Sequence, residues 1–498
     1  MCEVNQSISA DGQTELPGRG IYQNISLCLG PLLAAVMLAI PAPDLLGQAG
    51  WATAAIGVWM AIWWATEAVP VPVTALMPLV CFAPLGILDI KAASAPYANP
   101  TIFLFLGGFI LAAALQKSGL HRRIAYFILG FVSTGAQAII LGFMLVSAVL
   151  SMWMTNTSTT MMLLPIALSI LSSLDLDEQS VSERARRNFH LSLLLGIAYA
   201  ATIGGMTTLV GTPPNAFLAG FMSETYGLDI GFAQWMLVGV PLAAVMLPLT
   251  WWGLTRWIYP VDFKTPEQAR LKLVQQRKAL GKIRKEEWRV GSIFALVALA
   301  WMTRPLLQQW FQLDGLSDAG IAMLAAVSLF VVPSGEKGRG ALMDWQDMHD
   351  IPWGILLLFG GGLSLAAAVS TSGLAEWLGQ SLINLNTFGM LILVLSATAM
   401  VVFLTEMTSN LATAATFLPV VAAIALEIGG VPITLTAPVA LAASCAFMLP
   451  VATPPNAIVF SSGYISIPQM AKAGFMLNLL CIVLVTWVSL WLVPLVFA

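Results

Sequence analysis

Charge is what this sequence has least of. Asp, Glu, Lys and Arg make up 9% of its 498 residues, where a soluble globular domain carries roughly 25%. So little charge cannot clothe a soluble fold. Histidine is scarcer still: His121 and His190 flank the ends of apolar stretches and His349 lies in a loop, so a histidine proton relay is not expected. The five cysteines (Cys2, Cys28, Cys81, Cys445 and Cys481) are scattered, with no CxxC pair or Cys/His cluster, which argues against a disulfide framework or a bound structural metal. No nucleophile elbow, paired histidines or metal-ligand spacing lies within the apolar stretches, so a membrane enzyme is not expected. The rings of charge and continuous pore pattern of an ion channel are missing too. Residues 1–22 have no apolar core and no cleavage pattern, so the first apolar segment reads as a retained span. No Lys or Arg falls in the middle of any apolar span.

What is present is hydrophobicity, 58% of the residues at a mean hydropathy of +0.85, with room for ten or more spans of about 20 residues each. Apolar spans are expected near 24–42, 50–66, 70–88, 100–117, 235–257, 291–308, 318–333, 352–369 and 474–497, with two more interrupted, one over 191–222 broken at 204–215 and one broken at 446–456. Stretch 121–130, basic and then apolar, suits a membrane surface, and 372–385 is a further short segment. The 17 tryptophans, as in Trp63-Trp64 and Trp251-Trp252, read as interfacial anchors. The chain divides at 1–23, 24–134, 135–257, 258–290, 291–386 and 387–498. Segment 258–290 is the only long polar one and reads as a cytoplasmic helical linker; a nucleic-acid patch would need aromatic interleaving that it lacks.

The two halves repeat. An offset of 254 carries Thr155-Asn156-Thr157 onto Ser409-Asn410-Leu411, Pro165 onto Pro419, and Gly107 onto Gly361. A second motif, Gly211-Thr212-Pro213-Pro214-Asn215, recurs as Ala452-Thr453-Pro454-Pro455-Asn456 at an offset of 241. Repeated, interrupted apolar segments point to a secondary transporter with its site between the halves.

Lys and Arg are retained in the cytoplasm, and their placement differs between the copies. Lys117, Arg122 and Arg123 follow the fourth span, whereas only Ser, Thr and Glu376 follow its counterpart; Arg184, Arg186 and Arg187 close the first polar-centred block, and ALEIGGV closes the second. The copies therefore face opposite ways. With the N-terminus inside and the C-terminus outside, only Lys91 and Arg304 of 22 basic residues lie near the outer face. The expected fold is an all-α polytopic membrane protein, an inverted-repeat transporter with about eleven transmembrane helices and two re-entrant hairpins.

The hairpins are 135–173 and 387–424. A straight helix over 135–173 would be about 58 Å long, twice the roughly 30 Å of hydrocarbon, and the uncharged triplet at its centre suits a tip buried within protein. In the TPPN motifs the prolines end one helix and begin the next, with Thr212 and Thr453 at the N-cap. With no basic side chain at depth, an anion must be held by helix N-termini and Asn, Ser and Thr donors; free carbonyls, amides and hydroxyls suit Na⁺. Glu67 and Glu406 are carboxylates near membrane depth and hence functional suspects. Glu67 reads as a span-end residue, while Glu406 adjoins the second tip.

These residues together resemble the divalent anion/sodium symporters (DASS), through both Ser-Asn-Thr-type triplets, both TPPN motifs and the repeat spacing. The resemblance implies sodium-coupled symport of dicarboxylates such as succinate, malate or fumarate, by an elevator movement of a homodimer in the bacterial inner membrane. Sodium-independent exchange, or carriage of citrate or sulfate, is the alternative. It further implies scaffold helices at 24–134 and 291–386 and transport elements at 135–257 and 387–498. Two or more Na⁺ ions would be carried, one at Ser151, Thr155, Asn156 and Gly211, another at Thr405, Thr408, Asn410 and Ala452. The anion would meet Asn156, Thr157, Thr212, Pro213, Asn410, Thr453 and Pro454. Two positions depart from the family pattern: Thr155 replaces Ser and keeps a hydroxyl, while Leu411 replaces Thr and removes a donor.

Overall fold

A computed structural model describes residues 20–131, 135–175, 182–263, 274–335, 340–381 and 389–497. Most of the expected N-terminal tail, with Cys2, and the middle of the linker lie outside the described residues, as do 176–181 of the Arg-rich loop. Among the described residues the chain is helical, with isolated bridging such as that between Pro333 and Ala341 and no strand.

The first half begins with α1 (Ile21–Ala39), α2 (Gln48–Thr66), α3 (Val71–Thr74), α4 (Met77–Cys81) and α5 (Ile90–Ser94). It continues with α6 (Pro100–Ser118), α7 (Leu120–Leu129), α8 (Ala136–Ser151), α9 (Asn156–Asp175), α10 (Glu183–Gly205), α11 (Pro213–Tyr226) and α12 (Phe232–Trp252). The second runs through α13 (Lys285–Phe311), α14 (Asp318–Val331), α15 (Trp353–Thr371), α16 (Leu374–Ser381), α17 (Gly389–Leu404), α18 (Asn410–Glu427), α19 (Ile433–Ser444), α20 (Pro454–Phe460) and α21 (Ile467–Phe497). Eight described helices are long and apolar enough to cross a bilayer.

Several boundaries differ from the sequence expectation, among them the start of α10, at Glu183 rather than 191. The span at 70–88 is not one helix, because Pro78 removes the donor and crowds the carbonyl of Thr74 one turn back, so α3 stops there. α13 starts at Lys285, inside the segment read as linker, where Glu286 and Glu287 favour a helix start. α21 starts at Ile467 rather than 474. The anchor reading of Trp64 also fails: it is 1% exposed, and its indole donates to Val71 O at 3.2 Å.

From α6 to α12 and from α15 to α21 the element order is the same, so the sequence repeat is a repeat of helices. It extends to packing. A Cβ on Gly107 of α6 would sit 2.7 Å from Ala322 of α14, and one on Gly361 of α15 would overlap the carbonyl oxygen of Ala75 beside α3. The centre of the molecule is the entering arm of each interrupted span. α10 is buried along its apolar length and α19 on almost every residue, which explains why both are apolar all round. α1 and α13 carry long exposed apolar faces, including Leu32, Leu296, Leu299 and Met302.

The amphipathic α7 is clamped to the start of α13. Arg123 donates to both carboxylate oxygens of the buried Glu287 and to the carbonyls of Leu280, Gly281 and Lys282. His121 of the same helix donates through Nδ1 to Leu115 O at 2.8 Å. Burial, and then the nearby Arg122 charge, hold its imidazole below the usual range against the opposing pull of that hydrogen bond.

Candidate functional site

Each triplet sits where one helix has ended and the next begins. α8 ends at Ser151 and α9 begins at Asn156; α17 ends at Leu404 and α18 begins at Asn410. Thr155 caps α9, its Oγ1 accepting from Ser158 N at 3.2 Å. The two Asn side chains are held alike. Ser151 Oγ donates to Asn156 Oδ1, and Thr405 Oγ1 donates to Asn410 Oδ1 at 2.8 Å and also meets Ala443 O. Ser151 and Thr405 are fully buried behind the amides they orient.

Each TPPN motif starts a helix after an open stretch of backbone, 206–212 in the first half and 445–453 in the second. Asn215 and Asn456, fully buried, turn inward to those stretches. Asn215 Nδ2 donates to the carbonyls of Gly205, Met206 and Thr208. Asn456 Nδ2 donates to Ala446 O and Leu449 O, the positions of Gly205 and Thr208 shifted by the repeat. These amides thus hold the breaks open, answering carbonyls that would otherwise be orphaned at depth. The threonines differ: Thr453 Oγ1 accepts from Asn456 N at 3.4 Å, whereas Thr212 Oγ1 lies 3.4 Å from Ser444 Oγ across the interface between the halves.

The halves interlock. α20 packs on α9 and α10, and α11 packs on α18 and α19, so each interrupted span is seated against the other half's polar tip. Between them opens a cavity of about 1380 Å³. All seven expected anion-binding residues (Asn156, Thr157, Thr212, Pro213, Asn410, Thr453 and Pro454) line it. Of the expected cation ligands, Thr155, Asn156, Gly211, Thr408, Asn410 and Ala452 line it too, with Ser151 and Thr405 one layer behind. Thr408 Oγ1 is engaged with Thr413 Oγ1 at 2.6 Å and Leu404 O at 3.0 Å. Leu411, 4% exposed, takes the wall position corresponding to Thr157.

Four helices (α9, α11, α18 and α20) begin at this cavity, so unpaired N–H groups and, for the three longer ones, the positive end of the helix dipole face it. Apolar residues also line the cavity, among them Phe105, Phe109 and Ala112 of α6 and Ile355 and Leu358 of α15. At the mouth stand Tyr22, Glu67, Lys117, Asp347 and Asp350. Lys117, the only basic side chain among the described residues lining the cavity, is paired with Asp347 at 2.6 Å. Glu67 is exposed and ends α2 in the left-handed conformation at φ 48°, as its span-end reading implies. Sequence reasoning missed the apolar lining, since nothing distinguishes these Phe and Leu residues from any other span residue, and it missed the inward turn of the two TPPN asparagines.

Residues 23–498 match the sodium:sulfate symporter transmembrane region. The chain is 43% identical over 479 residues to the sodium-dependent dicarboxylate transporter SdcS of Staphylococcus aureus strain USA300, covering 95% of this chain and 92% of that one. The same identity and coverage hold for SdcS of strain MSSA476. Among solved structures it shares the fold of the Alcanivorax borkumensis YdaH transporter, with a TM-score of 0.55 at 15% identity over 95% of this chain and 96% of that one. It likewise resembles Neisseria gonorrhoeae MtrF, with a TM-score of 0.56 at 13% identity over 96% of this chain and 95% of that one.

Proposed function

Because the chain belongs to the sodium:sulfate symporter family, the divalent anion/sodium symporters, and is a membrane-integral transporter rather than an enzyme, we propose that it couples the entry of a C4-dicarboxylate to sodium. The observation that carries this reading is the meeting of both Asn tips and both TPPN helix starts at a single cavity. A succinate-like dianion bridges the two half-sites, each carboxylate taking N–H donors from one helix start and the amide of Asn156 or Asn410. Without a free basic group, formal charge balance falls to the co-transported Na⁺ ions. Asn156 Oδ1, Thr155 and Ser151 hydroxyls and the Gly211 carbonyl offer one set of hard oxygen ligands. Asn410 Oδ1, Thr405 and Thr408 hydroxyls and the Ala452 carbonyl offer the other. The sodium-dependent dicarboxylate activity of SdcS supports this assignment.

The polar tips belong to residues 135–257 and 387–498, and the apolar lining to 24–134 and 291–386. A hydrophobic face makes no directional bonds, so the polar part can slide past it with its cargo, as an elevator in a homodimer embedded in the lipid of a bacterial inner membrane. The mouth residues Lys117, Tyr22 and Glu67 belong to the face that the charge pattern assigns to the cytoplasm, so the conformation is the inward-open one.

Uptake of labelled succinate into proteoliposomes tests the proposal. A steep rise with an inward sodium gradient is expected. Uptake indifferent to sodium but driven by internal dicarboxylate makes the protein an exchanger, and competition only by citrate or only by sulfate reassigns its substrate.

A further inference from the structure

The two half-sites are not chemically equivalent. Glu406 stands next to Thr405 at the second tip and is 3% exposed. Its Oε1 accepts from Phe447 N at 2.7 Å, Met448 N at 2.9 Å and Asn478 Nδ2 of α21 at 2.8 Å. Its Oε2 accepts from Met448 N at 3.0 Å and Leu449 N at 3.2 Å. Every one of these partners is an uncharged donor, the pattern of a carboxylate that carries no proton. In the first half the offset of 254 puts Met152 at this position. There the tie between tip and break is neutral: Thr208 Oγ1 donates to Met152 O at 2.6 Å and accepts from Gly211 N at 3.0 Å.

The carboxylate reaches the expected second cation site through the backbone. Leu449, whose N–H it binds, accepts at its carbonyl both Ala452 N at 3.2 Å and Asn456 Nδ2 at 3.0 Å. Ala452 carries the carbonyl assigned to the cation. On the other side, Thr405 is the immediate chain neighbour of Glu406 and orients Asn410. The second half-site is therefore assembled around a buried negative charge, and the first around hydroxyls. A buried anion near a cation site strengthens it, and interactions of this kind are poorly screened away from water.

We propose that Glu406 is a positioning residue that shapes and charges the second cation site, making it the stronger sodium site of the two. This rests on the sodium-coupled reading above. It does not require Glu406 to touch either the anion or the ion.

The test is the sodium dependence of succinate uptake by E406Q, which keeps the side chain's size, compared with E406D, which keeps its charge. For E406Q the sodium concentration giving half-maximal uptake is expected to rise about tenfold and its cooperativity to fall, while the succinate KM at saturating sodium stays within about twofold. E406D is expected to fall between E406Q and the parent. Where E406Q transports too slowly to measure, the sodium-induced rise in Tm of the purified protein without substrate is read instead. It should shrink in E406Q and be kept in larger part in E406D. An unchanged sodium half-saturation or Tm response in E406Q overturns the proposal, as does an equal rise in sodium half-saturation and succinate KM, the mark of general loosening. Parent uptake that ignores sodium overturns the sodium-coupled reading itself, and is seen before any variant is made.

Discussion

At the residue scale the proposed site depends on two amides. In that proposal Asn156 and Asn410 each offer an oxygen for a cation and a nitrogen for the anion, and each is aimed by a buried hydroxyl. Asn156→Ala and Asn410→Ala should each lower succinate uptake at least about 100-fold, since a hydrogen bond to a charged group alone is worth about 1.5–3 kcal/mol and an ion ligand goes with it. Elution of both variants at the parent volume in size-exclusion chromatography would show the fold intact. Leu411→Thr supplies the donor that the second triplet lacks and should lower the succinate KM about three- to tenfold, measured at saturating sodium. The TPPN asparagines behave differently. Asn456→Leu is nearly isosteric but leaves the Ala446 and Leu449 carbonyls without their amide donor, a cost of about 1–3 kcal/mol. A lower Tm in detergent, with residual uptake in proportion to folded protein, is the expected outcome.

The motif letters told less about these four asparagines than their surroundings do. Asn156 and Asn215 are both buried-segment amides beside a helix start, and the sequence does not reveal that one faces the cavity and the other the backbone. That difference is set by which carbonyls have lost their helical partners, a property of the break's geometry. Glu406 stood out for its charge alone, and its partners come from 41 or more positions along the chain, beyond the reach of local pattern.

At the element scale, helix breaks and close crossings carry the design. The interrupted blocks were legible because prolines, a polar triplet and excess length leave no continuous helix that fits a bilayer. The split of α3 from α4 was equally written in Pro78 but was hidden within an apolar run. Close crossings give a direct test: Gly361→Ala would drive a Cβ into the carbonyl of Ala75 and should cost about 1–3 kcal/mol from overpacking, read as a fall in Tm. The clamp on α7 gives another. Arg123→Ala leaves the buried Glu287 without its bidentate partner, so the N-terminal turn of α13 should exchange its amide hydrogens faster, with the double variant Arg123→Ala/Glu287→Ala less affected than the single one.

At the scale of the whole molecule, the elevator proposed above has the segments that bring the polar tips move against those that bring the apolar lining. Met407 and Val451 are more than three-quarters exposed at the cavity. Cysteines placed there, one at a time, should react with a membrane-impermeant thiol reagent from the side that bears Lys117 and be protected when the protein is driven to its opposite state. Labelling from the other face alone would reverse the assigned orientation. The repeat, its offset and the opposed charge bias were legible in the sequence because they are statements about order along the chain. The interlocking of α11 and α20 with the opposite halves was not, because nothing in one dimension says which of two similar tips a helix will rest on.

That interlocking bears on how the protein is made. α20, which seats against the first tip's helix α9, ends at Phe460, so nearly the entire polypeptide must leave the ribosome before the earlier half acquires its neighbour. Until then residues 152–158 are held from within the first half alone, by Ser151 on Asn156 and by Thr208 on Met152. A chain arrested before α20 thus carries the first tip's own ligands, Ser151, Thr155, Asn156 and Gly211, but not the helix that seats against α9.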